Sequence, residues 1–332
     1  MSLYEFAPKL DTGLVDDSAR NIADLAGVEI KRAECLEWLW GSDGAPSDVP
    51  SVTTDVECPI LGLTGVARVD QLDYTIDGIE LRGYHYVPST PRGECLVVCH
   101  GHGHYTQGDG GHGRLIQAAL SAGYGVCGVH MPGQWTDHVG IPQHPAMFET
   151  WWSRTAGSPM RIFIVLCAAT LNLLEPEYSA FYAAGLSGGG WTACMLGAFD
   201  ARIQGCAAVA GTWPLYMRVQ PITWGDAEQT WPRFYSMAGW IDIFVMIARR
   251  CPLLMIYLHN DICFGPNQYQ DTGGGQRIVG LSFAEAADDF CAEVNGVVQT
   301  DDMSWVLDQT DIGHELTVWA ANRIVELLGG LQ

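Results

Sequence analysis

Ser187 lies in Phe181-Tyr182-Ala183-Ala184-Gly185-Leu186-Ser187-Gly188-Gly189-Gly190-Trp191, an apolar run that ends in a cluster of glycines. Gly185-Leu186-Ser187-Gly188-Gly189 fits the G-x-S-x-G nucleophile elbow, in which a strand reverses sharply into a helix. Such a turn strains the backbone at the serine and crowds the positions two before and two after it, so only very small side chains fit there. The hydroxyl is then presented at the carboxyl end of a sheet beside helix N–H groups, which can stabilise an oxyanion. The bland alternative is a glycine-rich connection in a chain that holds 39 glycines. The apolar strand before the motif and the small-residue helix after it, Thr192 to Phe199, favour the nucleophile.

A serine nucleophile needs a base to take its proton and a carboxylate to orient that base. His314, in Asp311-Ile312-Gly313-His314-Glu315-Leu316, follows the last expected strand, opens the final helix and is the only histidine after His259. Asp261 follows the apolar strand Leu253-Leu254-Met255-Ile256-Tyr257-Leu258, on a loop where a carboxylate can reach an imidazole. Its rivals are Asp226, Asp242 and Glu315. One oxyanion donor is expected from the N–H of Gly188, and the second from His102 in His100-Gly101-His102-Gly103-His104, the loop after the strand Cys95–Cys99.

The same loop raises a metal alternative, since His100, His102, His104 and His112 cluster in sequence. Histidines at alternate positions of an extended chain point to opposite sides, and no acidic ligand completes a recognised spacing. No metal and no cofactor is therefore expected. Gly108 to Gly113 lacks the lysine of a phosphate-binding loop.

These residues must be positioned by an alternation of strands and helices. Gly65 to Val87 reads as antiparallel strands about an Asp77-Gly78 turn. Strands are then expected at Cys95–Cys99, Tyr124–Val129, Ala180–Ala184, Gly205–Ala210, Leu253–Leu258 and Met303–Leu307. Helices are expected at Leu115–Ala122, Met160–Leu174, Phe283–Val294 and Leu316–Leu328. Apolar strands bracketed by helices imply an α/β fold with a mostly parallel sheet covered on both faces. Residues 1–60 read as a mainly helical N-terminal extension that could pack on the main domain or support a homo-oligomer, with 61–332 as the catalytic domain. An insertion at about 211–242, rich in tryptophan and proline, is expected to lie lid-like over the carboxyl edge of the sheet. Trp213, Trp224 and Trp231 are its candidate substrate-binding residues; an aromatic core patch is the alternative for each.

With 17 basic and 38 acidic residues the formal charge is −21, and Lys9 and Lys31 are the only lysines. Such a surface repels nucleic acid and anionic membranes. No apolar run reaches the roughly 18 residues needed to span a bilayer, and the start shows no signal peptide. Eleven cysteines without a C-x-x-C pair suggest reduced thiols and a cytoplasmic protein.

Taken together, His100-Gly101-His102-Gly103, the elbow at Gly185–Gly189, Asp261 and Gly313-His314-Glu315 resemble the α/β-hydrolase superfamily. The chain is similar, from about Asp73 to Leu328, to bacterial carboxylesterases related to acetyl xylan esterases and dienelactone hydrolases. Ser187-Gly188-Gly189-Gly190 and the helix-then-strand run Ile241 to Leu254 add to the resemblance. The Arg-Gly-Gln signature of the cephalosporin-deacetylase branch is missing. The resemblance implies an α/β-hydrolase fold and a cofactor-free serine esterase acting through an acyl-enzyme on small ester substrates, with short acyl or acetyl groups. The alternatives are a peptidase or amidase of prolyl-oligopeptidase type and a non-catalytic binding protein of the same fold.

Overall fold

The computed structural model describes residues 21–103, 106–133, 157–218, 227–269, 280–310 and 313–331. Nine strands form a single sheet in the order β1-β2-β3-β5-β4-β6-β7-β8-β9. They are β1 (Ser51–Thr53), β2 (Val66–Ile76), β3 (Ile79–Pro88), β4 (Glu94–Cys99), β5 (Gly125–Val129), β6 (Ala180–Leu186), β7 (Ile203–Val209), β8 (Leu253–Leu258) and β9 (Met303–Asp308). β1, β2 and β3 are antiparallel to their neighbours, whereas β5-β4-β6-β7-β8-β9 run parallel. The Asp77-Gly78 turn pairs Ile76 with Ile79 and joins β2 to β3. β2 is one long strand, because β3 pairs along nearly its whole length.

β4, β5, β6 and β8 are buried at every residue. Continuous burial on both faces is what helices on both sides of a parallel sheet impose. The helices are α1 (Leu25–Trp40), α2 (His112–Ser121), α3 (Arg161–Leu174), α4 (Gly188–Phe199), α5 (Ala227–Thr230), α6 (Pro232–Tyr235), α7 (Trp240–Ala248), α8 (Phe283–Val298) and α9 (Val318–Gly329). α2 packs with α9; α3, α4, α7 and α8 pack in succession, and α1 lies against α4 and α7. This is the α/β-hydrolase fold.

The described part of the N-terminal stretch is tied into this core. Asp242, fully buried on α7, accepts hydrogen bonds from the N–H groups of Asn21 and Ile22 at 2.8 Å and from the Asn21 amide at 2.9 Å. It also caps its own helix through the Gly239 N–H at 3.1 Å. Four donors on one carboxylate explain how a buried charge is tolerated, and they commit Asp242 to structure. Arg32 of α1 adds a bond to the Met246 carbonyl at 2.6 Å. The sheet itself begins at Ser51, inside the stretch read as an extension.

No helix among the described residues is long and apolar enough to cross a membrane. All eleven cysteines are free, and all except Cys58 and Cys263 are buried. Burial pushes the thiol of Cys35 up to about 12 and that of Cys251 to about 11, so they act as small apolar side chains.

Candidate active site

β6 runs between β4 and β7 and delivers Ser187 at its carboxyl end. Ser187 has φ 59° and ψ −129°, a conformation that costs a non-glycine residue about 1–3 kcal/mol and that marks functional turns. Its N–H is held by the Val209 carbonyl at 2.9 Å. The crowding expected around it is present: a Cβ on Gly185 would lie 2.4 Å from the Cys99 carbonyl oxygen, and one on Gly189 would lie 2.0 Å from it. α4 starts at Gly188, so the first N–H groups of that helix have no intrahelical acceptor and converge beside the serine.

The loop after β4 lies directly on this turn. A Cβ on Gly101 would meet the Gly188 nitrogen at 3.0 Å and the Ser187 Cβ at 3.1 Å. Both expected oxyanion donors, Gly188 and His102, therefore come from segments in contact at the elbow.

Asp261 follows β8 and is fully buried. Its Oδ1 accepts from the N–H groups of Cys263 at 2.7 Å and Phe264 at 2.6 Å, which fixes the carboxylate plane. Its Oδ2 meets Nδ1 of His314 at 2.5 Å. A carboxylate only accepts, so Nδ1 carries the proton and Nε2 is left as the basic nitrogen.

His314 sits in a loop rather than in the last helix, which begins at Val318 with Thr317 as its N-cap. Asp308, fully buried at the end of β9, closes that loop by accepting from the Thr310 N–H at 2.8 Å and from the Thr317 hydroxyl at 2.5 Å. The loop is drawn back over the sheet by the Leu316 N–H, which donates to the Gly110 carbonyl at 2.7 Å. Arg114 completes the tie through Glu315 at 2.7 Å and the Leu316 carbonyl at 3.0 Å. Glu315 thus serves Arg114, and Asp242 serves the N-terminal segment; neither competes with Asp261. Asp226 lies outside the described residues.

One tryptophan expectation changes. Trp213 has no exposed surface; Tyr257, Phe264, Tyr269 and Phe283 pack around its ring at 5.5–6.5 Å. A side chain with no accessible surface offers nothing to a substrate, so Trp213 is a core residue. Trp231 is half-buried against the core, and Trp224 lies outside the described residues.

Among the described residues, the atoms spaced closely enough to share a metal ion are those of Asp261, Cys263 and His314. The Asp261 oxygens are already engaged as above, and burial, with the neighbouring Asp261 charge, pushes the Cys263 thiol up to about 12. The histidine-rich loop resolves differently. The rings of His100 and His112 stack at 4.2 Å, with His130 beside His100 at 5.0 Å. His112 Nδ1–H donates to the Asp109 carbonyl at 2.5 Å, fixing the turn before α2. His104 is outside the described residues. A surface groove of about 800 Å³ along α2 and α9 includes Gly110, Arg114, Glu315 and Val318 but not Ser187 or Asp261.

Burial holds the imidazoles of His85, His112 and His130 down, each to about 4 from an ordinary value of 6.5. For His85 the Asp70 carboxylate pulls weakly the other way; for His130 the neighbouring His112 adds to the depression. Each ring is neutral in the fold and protonates in the unfolded chain first. The stability these sites contribute is complete above about pH 6.5 and is lost as the pH falls towards 4. At 1.36 kcal/mol per pH unit, the loss reaches up to roughly 3 kcal/mol per ring. Urea midpoints should hold between pH 7.5 and about 6.5 and fall from there to pH 4.5; a constant midpoint from 6.5 to 4.5 would contradict this.

No protein-family model matches the sequence, and no curated protein matches it. Solved structures do match in fold. Acetyl xylan esterase 1 from Thermoanaerobacterium sp. JW/SL YS485 aligns with a TM-score of 0.60 at 15% identity, covering 98% of each chain. An acetyl xylan esterase from Paenibacillus sp. R4 gives 0.59 at 15% identity over 96% of this chain and 98% of its own. A glucuronoyl esterase from Solibacter usitatus gives 0.57 at 15% identity over 96% of both. At this identity the likeness is one of fold, and it extends over almost the entire chain.

Proposed function

We propose that this protein is a serine hydrolase of carboxylic esters, with Ser187 as nucleophile, His314 as base and Asp261 as the carboxylate that orients it. The observation that carries the reading is the 2.5 Å contact of His314 Nδ1 with the buried Asp261, on loops that leave the same carboxyl edge of the parallel strands as Ser187, held at φ 59°. In this reading Ser187 Oγ attacks the acyl carbon while His314 Nε2 takes its proton. The oxyanion is held by the N–H groups of Gly188 and His102. Collapse expels the alcohol, which takes the proton from His314, and leaves an acyl-enzyme. Water, deprotonated by His314, then attacks the acyl carbon, and Ser187 leaves with its proton restored.

The substrate is a small, uncharged ester with a short acyl group, for which the acidic surface offers no anion-binding field. Acetylated sugars fall in this class, and the acetyl xylan esterases of like fold act in the same direction. The abundance of free, buried thiols fits a reducing compartment such as the cytoplasm.

A panel of p-nitrophenyl esters from acetyl to decanoyl, with acetylated xylose and a matched aminoacyl anilide, tests the reading. The acetyl ester is expected to exceed the anilide in kcat/KM by at least about 100-fold, since amide cleavage asks more of the leaving-group step. Equal rates would favour an amidase, and no turnover of any ester would remove the esterase reading.

A further inference from the structure

The imidazole of His102 occupies a place that the oxyanion role of its backbone does not explain. Nε2 lies 3.3 Å from Oε1 of Glu228, whose side chain has no exposed surface, while the His102 side chain is 29% exposed. A buried carboxylate is tolerated when an opposite charge or donors face it, and this ring, as an imidazolium, supplies the charge. The other side of the ring faces the elbow. A Cβ on Gly188 would lie 2.8 Å from His102 Nδ1, 3.0 Å from its Cε1 and 2.7 Å from the Met131 methyl. The position after the nucleophile is glycine, and the ring fills the space its side chain would take.

Glu228 is held in register with the elbow helix. Trp191 Nε1, one turn into α4, donates to the Tyr235 hydroxyl at 2.8 Å, and that hydroxyl donates to the Glu228 carbonyl at 2.9 Å. The next residue, Gln229, accepts from the buried Arg218 at 3.1 Å, and Arg218 also binds the Trp213 carbonyl at 2.8 Å. The short, wholly buried α5 thus fixes a carboxylate on one side of the His102 ring, and the Nδ1 side of the ring faces Gly188.

We propose that the side chain of His102, paired with Glu228, is a further catalytic group: as an imidazolium facing the Glu228 carboxylate, it donates through Nδ1–H to the acyl oxygen as that becomes an oxyanion. No proton is transferred in this role. Glu228 is a positioning residue that acts through His102. The inference rests on Ser187 being the nucleophile.

The test uses the full chain and p-nitrophenyl acetate. His102→Ala keeps the backbone N–H and removes the ring; losing one oxyanion donor is expected to lower kcat about 100-fold with KM changed less than about threefold. Glu228→Gln should lower kcat at least about tenfold, and the double variant should be no slower than His102→Ala alone, because the two act as one unit. A kcat for His102→Ala within threefold of wild type would overturn the proposal, as would losses that multiply in the double variant. If circular dichroism shows Glu228→Gln unfolded, His102→Ala and His102→Asn decide, the amide being expected to recover part of kcat. Wild type labelled at Ser187 by a fluorophosphonate, with kcat unchanged in His102→Ala, removes this inference alone; wild type that is not labelled removes the parent assignment and this inference together.

Discussion

Replacing Ser187 with alanine is expected to lower kcat for p-nitrophenyl acetate by roughly 10⁴-fold or more, while leaving the fold intact. Among the described residues, the Ser187 hydroxyl makes no hydrogen bond that the fold depends on; the residue's backbone is fixed by the Val209 carbonyl and by the helix that starts at Gly188. Alanine at φ 59° carries the same strain as serine, so the melting temperature should stay within a few degrees of wild type. Ser187→Gly should be at least as stable, because glycine adopts this conformation without penalty. Residual activity in either variant would come from the oxyanion donors and from substrate binding. A loss smaller than tenfold would mean that another group attacks the ester.

The second large effect is expected at Asp261. Asp261→Asn should lower kcat about 10³- to 10⁴-fold with little change in KM. Asparagine can turn an amide N–H toward His314 Nδ1, which favours the tautomer with the proton on Nε2. That tautomer cannot accept the serine proton. The buried oxygen that accepts from Cys263 and Phe264 survives as the amide oxygen, so the loop should keep its shape. Parallel loss of ester turnover and of fluorophosphonate reactivity, with unchanged circular dichroism, is the expected result. Near-normal turnover would show that His314 is oriented by something else.

Much of the architecture was legible because local chemistry left few options. The glycines of the elbow are required because a Cβ at Gly189 would fall 2.0 Å from the Cys99 carbonyl oxygen, and such crowding is visible as composition. Asp261 could be chosen because an apolar strand runs straight into its loop, and His314 because it follows the last strand. What stayed hidden depends on segments far apart in the chain. Trp213 looked like a pocket wall because the 211–242 stretch interrupts the alternation; its burial is set by Tyr257, Phe264 and Phe283. Glu228 gave no signal, since nothing in its own neighbourhood reveals that it ends behind His102. The histidines at 100 and 112 read as possible ligands, whereas the turn before α2 stacks their rings beneath the loop. Asp242 drew attention as an acid, but its partners, Asn21 and Ile22, lie at the other end of the chain.

The measurement that bears most directly on the proposed chemistry is the mass of the protein after exposure to a fluorophosphonate, followed by peptide mapping. The account predicts one covalent adduct per chain, carried by Ser187, formed quickly in the wild type and at least about 10³-fold more slowly in His314→Ala. An adduct on a different residue, or equal rates in the two proteins, would contradict it.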